Sequence, residues 1–465
     1  MKNILFCLGV FIFLSVPNGQ AQNVVVNGGI KYQILHGLGV NINPQSWNVN
    51  PDSVKKVIDS LITGLGATSF RLMYDDCDWE TVNDNDDAQV YNWSYFDSVY
   101  SASRFTAVWN TVEYLNSKGI TDITLSPDGA TPKWMGGTKM KAGMEAEYAE
   151  TMSSMVYYGL RRRKPALHFI MLSPINETTC GGDEGVLTTP EQFGLIYTDI
   201  AAHLIREHLT ELSIIGPDDC GGWANSYHAM VSSPVAMSKI LRFGQHDYGD
   251  ETKKIRDMID SIKHSAYPDR EAIMTEANAS CVGCDGGTYN KSYDFNAYAG
   301  PAYKYVLQHL NAGANGVQIW EGYDSRYHHP NRTLTWSMWG IFSVNDTLHP
   351  DVYRPRAHYY TFKQLFRFVK PGFQRIDVSS GLNKITFSAY QDPVKDGFVI
   401  TGKNDSSVKQ TIRGMLKGLP TVSILHYYYT DEEHHFFPGP DIPVSQQGFS
   451  LVVPPFCVFT LTGNK

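Results

Sequence analysis

Two glutamates stand where short apolar runs give way to polar residues: Glu177 in Ser173-Pro174-Ile175-Asn176-Glu177-Thr178, and Glu276 in Ile273-Met274-Thr275-Glu276-Ala277-Asn278. The run before the first is Leu167-His168-Phe169-Ile170-Met171-Leu172, and Ala272-Ile273-Met274 leads to the second. Such runs fit parallel strands buried on both faces. A carboxylate at the C-terminal end of a barrel strand sits where (β/α)8 enzymes place their chemistry. Two carboxylates facing one pocket can divide the work: one attacks a carbon and the other protonates the leaving oxygen, which is the division that cleaving a glycosidic bond requires.

The elements that must position this pair follow from periodicity. Val54, Val57, Ile58, Leu61 and Ile62 repeat at helical spacing behind Asn50, Pro51 and Asp52, which are good starting residues. Strands are expected near 34–42, 68–73, 120–126, 167–173, 212–216, 241–247, 271–275 and 315–320. Helical stretches near 95–117, 145–162, 190–209, 252–263 and 296–312 fall between them. Strands alternating with helices make a parallel sheet, and eight repeats favour closure into a (β/α)8 TIM barrel over 36–370. From 371 to 465 short β-rich runs separated by turn-forming segments, such as Lys384 to Tyr390 and Phe449 to Thr462, predict a C-terminal antiparallel β-sandwich. The strand-like segment within 22–35 is expected to join that sandwich before the chain enters the barrel.

Composition agrees. A chain of 465 residues fits a barrel of roughly 250–350 residues with a smaller companion. The charge of −8, from 39 basic and 47 acidic residues with no basic arm, argues against a nucleic-acid partner. Residues 1–21 read as an export signal: Lys2, an apolar stretch from Ile4 to Val16 too short to span a bilayer, then Gly19-Gln20-Ala21. A secreted or periplasmic protein with no membrane span is the expectation, and a monomer. Cys7 would leave with the signal, so six cysteines remain in an oxidising compartment. Cys180 and Cys220 follow consecutive strands and are placed to bridge neighbouring loops. Cys281-Val282-Gly283-Cys284 lacks the second pair of a zinc ribbon, so a local disulfide or free thiols are expected there.

Gly37-Leu38-Gly39, Arg71, Ser126-Pro127 with Pro132-Lys133-Trp134-Met135, and Ser173-Pro174-Ile175-Asn176-Glu177 follow the first four strands in order. Phe366-Arg367-Phe368-Val369-Lys370-Pro371-Gly372 leads into the β-rich tail. Together these resemble glycoside hydrolase family 30, of the clan of retaining (β/α)8 glycosidases, over nearly the whole mature chain. Gln245-His246-Asp247-Tyr248 departs from the His-Trp-Tyr of many members, as does the segment after Trp320. The resemblance implies Glu177 as acid/base and Glu276 as nucleophile of a retaining O-glycoside hydrolase that acts on a β-linked polysaccharide or oligosaccharide. Members of the family cleave β-linked glucose, xylose, galactose and related units.

Several residues join the pair as candidates. The resemblance places Arg71 beside Glu276, where it would keep the nucleophile ionised. No fixed cation is identifiable for Glu177. Asn176 is expected to hydrogen-bond the sugar 2-hydroxyl, and His246 and Tyr248 to orient the nucleophile. Trp134 and Trp320 offer flat faces to sugar rings, Glu321 a carboxylate to substrate hydroxyls, and Trp47, Asp75, Asp76 and Asp128 border the cleft from rim loops. Each has a packing or ion-pair alternative. His328-His329 and His434-His435 lack the accompanying ligands of a metal site, so neither metal nor cofactor is expected. A transglycosylase would use the same covalent intermediate; a non-catalytic glycan-binding protein would have little use for both carboxylates and Arg71. A serine hydrolase would need a Gly-x-Ser-x-Gly elbow, which the chain lacks.

Overall fold

The computed structural model describes residues 22–74, 77–182, 184–249, 251–281, 283–285, 294–327, 335–344 and 351–463. The export-signal reading of 1–21 and the candidates Asp75, Asp76, His328 and His329 lie outside the described residues. After β1 (Val24–Ile34) come the eight strands of a closed parallel barrel: β2 (Gly37–Ile42), β3 (Ser69–Tyr74), β4 (Ile123–Pro127), β5 (Met171–Leu172), β6 (Ser213–Asp219), β7 (Ile240–Asp247), β8 (Glu271–Ala277) and β9 (Gly316–Ile319). Val40, Phe70, Leu72, Leu125, Leu172, Ile214, Met274 and Ile319 are completely buried, as expected of strands covered on both faces.

Local chemistry starts and stops the helices around the barrel. In the helix Pro51–Asp59 the side chain of Asn50 accepts the Ser53 N–H at 3.2 Å, and Pro51 occupies a position whose N–H has no helical partner. Val54, Val57 and Ile58 turn to the barrel. The following turn, Ser60–Leu65, ends at Gly66 with φ +97°, where a Cβ would meet the Phe366 carbonyl oxygen at 2.6 Å, so only glycine fits. Thr189 and Gln192 cap the helix Pro190–Arg206 reciprocally.

Three expectations need correction. The stretch 95–117 is two helices, Trp93–Tyr100 and Ser103–Ser117: Ala102 is extended, and the Trp109 indole takes the Tyr100 carbonyl that a continuous helix would use. The strand at 167–173 is reduced to Met171–Leu172, because the N–H groups of Leu167 and His168 go to the Gly159 carbonyl and the Asn116 side chain. A helix, Trp223–Val231, stands between β6 and β7, hidden in the sequence by the glycines before it and the serines after it.

Beyond β9 lie two short hairpins, β10 (Ser325–Tyr327) with β11 (Thr335–Ser337) and β12 (Phe342–Val344) with β13 (Tyr353–Pro355), then the helix Ala357–Phe366. The C-terminal strands are β14 (Gln374–Ser380), β15 (Ile385–Gln391), β16 (Phe398–Asn404), β17 (Gln410–Lys417), β18 (Ile424–Thr430), β19 (Phe437–Pro438), β20 (Ile442–Pro443), β21 (Gly448–Val453) and β22 (Val458–Gly463). Hydrogen bonds link them in one curled sheet, β19-β18-β22-β16-β15-β14-β1-β17-β21, with β20 on β18. It is antiparallel throughout except where β1 runs parallel to β17. Val26, Ile400, Ile412, Leu425, Phe459 and Leu461 fill its interior. Barrel helices grip this sheet through polar bonds: Tyr303 to Thr401 at 2.5 Å, Asn311 to the Phe387 carbonyl at 2.7 Å and Gln364 to Thr430 at 3.0 Å.

Candidate active site

Parallel strands of a barrel deliver their last residues to one mouth, and here those residues are polar. Arg71 on β3 is the hub. It is fully buried, and Nη1 donates to Glu276 Oε1 at 2.6 Å and to Asn41 Oδ1 at 3.0 Å, while Nη2 donates to Asn176 Oδ1 at 2.7 Å. Asp218 Oδ2 stands 3.7 Å from Nη2. Burial opposes the guanidinium charge, but Asp218, Glu276 and Asp128 more than offset this and raise Arg71 above its ordinary value. Arg71 is therefore a permanent cation held by several planar bonds.

Glu276 ends β8 and receives a second donor on its other oxygen, the Tyr248 hydroxyl at 2.5 Å. Burial, then the charges of Glu276 and Glu177, push Tyr248 well above the usual phenol range, so it serves as a neutral donor. Its ring lies edge-on to Trp339 at 5.2 Å, and Trp339 in turn donates to Asp285 at 2.7 Å.

Glu177 follows β5 with φ +40°, a left-handed conformation unusual for a side chain of this size, and its N–H donates to the Asp218 carbonyl at 2.8 Å. Asp218 is itself at φ +47° and fully buried, accepting from Ser173 and, at 2.6 Å, from Thr275. The loop beyond Glu177 is tied down by the Cys180–Cys220 disulfide and by Thr179, which donates to Asp219 at 2.6 Å. Cys281 and Cys284 form the second disulfide, and Cys77 and Cys457 are buried thiols.

His246 stands between the two glutamates. Its Nδ1 lies 2.6 Å from Glu177 Oε1, for which the sequence offered no cation, and 3.6 Å from Oε2 of Glu276, the residue it was expected to orient. The register shift between Gln245 and His246 on β7 sets His246 directly opposite Glu276. Burial alone would lower the imidazole; Glu276 and Glu177 outweigh it and raise His246 above its ordinary value. An oxygen of each glutamate and a nitrogen of His246 all lie within 4.8 Å of one another.

A raised histidine has a definite sign. The protonated form is favoured by folding, so the stability it contributes is present below the free-histidine value of about 6.5 and disappears as pH rises through the higher folded value. Carbon-detected NMR of labelled histidine is expected to give His246 a midpoint above that of free histidine, and a lower one in Glu177→Gln. A wild-type midpoint at or below the free value would show that burial prevails.

The remaining candidates separate. Asn176 joins the cluster, its amide nitrogen donating to the Glu184 carbonyl at 2.9 Å with Asp128 Oδ1 at 3.5 Å. Trp134 is partly buried and donates its indole N–H to the Glu80 carbonyl at 2.7 Å. Trp320 is partly buried, and the Asn278 amide donates to its carbonyl. Glu321 is fully buried, and its oxygens accept from Ser337 at 2.5 Å and Ser325 at 2.7 Å. Trp47 packs against Tyr114, ring centres 6.0 Å apart, with Lys55 over its face. Asn41, Asp218, Asp219 and Trp339 were not anticipated. A polar residue closing an apolar strand, as in Gly216-Pro217-Asp218-Asp219, was the available signal for the two aspartates.

No protein-family model and no curated protein matches the chain. Solved structures do. A GH30 endoxylanase from Clostridium papyrosolvens superposes with a TM-score of 0.70 at 18% identity, over 95% of this chain and 100% of the other. An endo-β1,6-glucanase gives 0.70 at 16% identity, over 96% and 94%. A conserved exported protein from Bacteroides fragilis gives 0.71 at 12% identity, over 95% and 100%. At these identities the likeness is one of fold.

Proposed function

We propose that the protein is a retaining glycoside hydrolase that cleaves a β-linked polysaccharide or oligosaccharide by double displacement, with Glu276 as nucleophile and Glu177 as acid/base. The observation that carries this reading is the pair itself: two carboxylates at the mouth of a (β/α)8 barrel with an oxygen of each within 4.8 Å of the other, in keeping with the short carboxyl separation of about 5 Å used by retaining enzymes. The fold shared with a xylanase and a β-1,6-glucanase supports the substrate class.

The two glutamates have different partners, and the difference suits different roles. Glu276 is held by a guanidinium on Oε1 and a phenol on Oε2, both donors, which fix the carboxylate for attack on the anomeric carbon. Glu177 Oε1 lies 2.6 Å from His246 Nδ1, so the pair is placed to deliver a proton to the departing oxygen and to take one from water in the second step. Asn176 precedes Glu177 and is held by Arg71 and the Glu184 carbonyl; its role toward the 2-hydroxyl rests on the resemblance. No helix among the described residues is long and apolar enough to cross a membrane. With the signal-like first 21 residues this favours a secreted or periplasmic enzyme meeting soluble glycans.

Proton NMR of the first product tests the mechanism. A panel of β-1,6-galactan, β-1,6-glucan, glucuronoxylan and aryl β-glycosides supplies the substrate, and the anomer released at early time is expected to retain the β configuration. An inverted product would remove Glu276 from the role of nucleophile.

A further inference from the structure

The two glutamates reach the barrel mouth by different means. Glu276 lies within β8, and the ladders to β7 and β9 fix its backbone from both sides. β5 ends at Leu172, so no ladder reaches Glu177, whose left-handed backbone persists in a residue with a long side chain only where the surroundings over-determine it. Those surroundings are the end of β6 and the residues after it. The Glu177 N–H donates to the Asp218 carbonyl at 2.8 Å, and the Glu177 carbonyl accepts the Cys180 N–H at 3.0 Å, closing a tight turn. On that turn the Thr179 hydroxyl donates to Asp219 Oδ1 at 2.6 Å and accepts the Gly222 N–H at 3.0 Å, and Cys180 is joined to Cys220. A Cβ on Gly222 would stand 2.6 Å from Thr179 Oγ1, so the two loops meet with no room to spare. Asp219, the anchor on the far side, is 0% exposed. Thr178 is held separately, its hydroxyl donating to the Val186 carbonyl at 3.0 Å.

We propose that Thr179, Cys180, Asp219 and Cys220 form a clamp that positions the acid/base: by fixing the Glu177 backbone it sets the carboxyl against His246 Nδ1 and so governs protonation of the leaving group, a role that rests on the assignment of Glu177 and Glu276 given above. These are positioning residues, acting on the reaction through Glu177. With the clamp open, Glu177 is free to leave the left-handed region, and its side chain turns with the backbone. A displacement of about 1 Å at a reacting group costs up to about 10²-fold in rate. Glu276 keeps its strand, Arg71 and Tyr248, so the loss falls on proton transfer and spares the attack on the anomeric carbon.

The consequence is a leaving-group dependence that a merely structural contact would not produce. Full-length wild type, Cys180→Ala/Cys220→Ala, Thr179→Val and Glu177→Ala are compared on dinitrophenyl and methoxyphenyl β-glycosides of the sugar or oligosaccharide that the substrate panel selects. The clamp variants are expected to keep kcat/KM on the dinitrophenyl substrate within about twofold and to lose about 10- to 10²-fold on the methoxyphenyl one, in the same direction as Glu177→Ala. Thr179→Ser, which retains the hydroxyl, should restore the ratio. Thr179 is exposed, so its variants decide the matter should the cysteine pair fail to fold. Equal losses on both substrates, or unchanged rates in every folded clamp variant, would overturn the clamp while Glu177→Ala still separates the two substrates. No hydrolysis of any glycoside by wild type, or no separation in Glu177→Ala itself, would instead remove the acid role of Glu177, and the clamp's with it.

Discussion

Glu276→Ala is expected to lose about 10⁴-fold or more of turnover on every substrate, while Glu177→Ala discriminates among them. Without the nucleophile no glycosyl-enzyme forms, whatever the leaving group. Without the acid, an aryl glycoside whose phenolate departs unaided still forms the intermediate, whereas a sugar leaving group needs its oxygen protonated and should react about 10²- to 10⁴-fold more slowly. Azide, which needs no general base, should enter the space left by Glu177 and yield a β-glycosyl azide. Glu276→Ala also strands the Arg71 guanidinium in a buried site, so Glu276→Gln is the control that keeps a hydrogen-bond acceptor there. Equal losses on good and poor leaving groups in Glu177→Ala would contradict its acid role.

The second large effect belongs to Arg71. Arg71→Met withdraws the charge 2.6 Å from Glu276 and leaves Asn41, Asn176 and Asp218 without their shared donor. Glu276 loses the donor that fixes one of its oxygens, so kcat/KM should fall about 10²-fold or more. Stability should fall by about 3–5 kcal/mol, because the partners of a broken buried pair are left unsatisfied; denaturant unfolding measures it. Arg71→Lys should recover little, since one ammonium cannot reach Glu276, Asn41 and Asn176 together. A folded Arg71→Met enzyme with full activity would make Arg71 a structural residue of the barrel.

Much of this arrangement was legible in the order of residue types. Buried parallel strands announce themselves as apolar runs, and the polar residue that ends a run marks the mouth; that rule pointed to Glu177 and Glu276, while Arg71 and His246 came from the family resemblance. It did not find the contact of His246 with Glu177, which joins the ends of two strands remote in sequence. Nor does the sequence reveal the local partners of Trp47 and Glu321: Tyr114 and Lys55 lie against the ring of one, and Ser325 and Ser337 donate to the oxygens of the other. Asp218 was missed because its influence on Arg71 runs across the barrel, between strands distant in sequence. The β-rich tail was legible from its short runs, but not its unity as one curled sheet, since strand pairing between remote segments leaves no local trace.

The place of β1 between β14 and β17 sets a timetable for the molecule's making. Residues 24–34 leave the ribosome early, yet their partners at 374–380 and 410–417 come only after the whole barrel has been synthesised. Until then β1 is an unpaired strand with Val24 and Val26, destined for an apolar interior, still open to water and to other chains. Non-local pairing of this kind is slow, because a long loop must close before any contact rewards it. The barrel shortens that search by folding in between: once β2 to β9 have closed, the two ends of the chain emerge from one compact body, and the last strands meet the first already held nearby. Assembly thus runs inward-first, with the sheet as the final clasp.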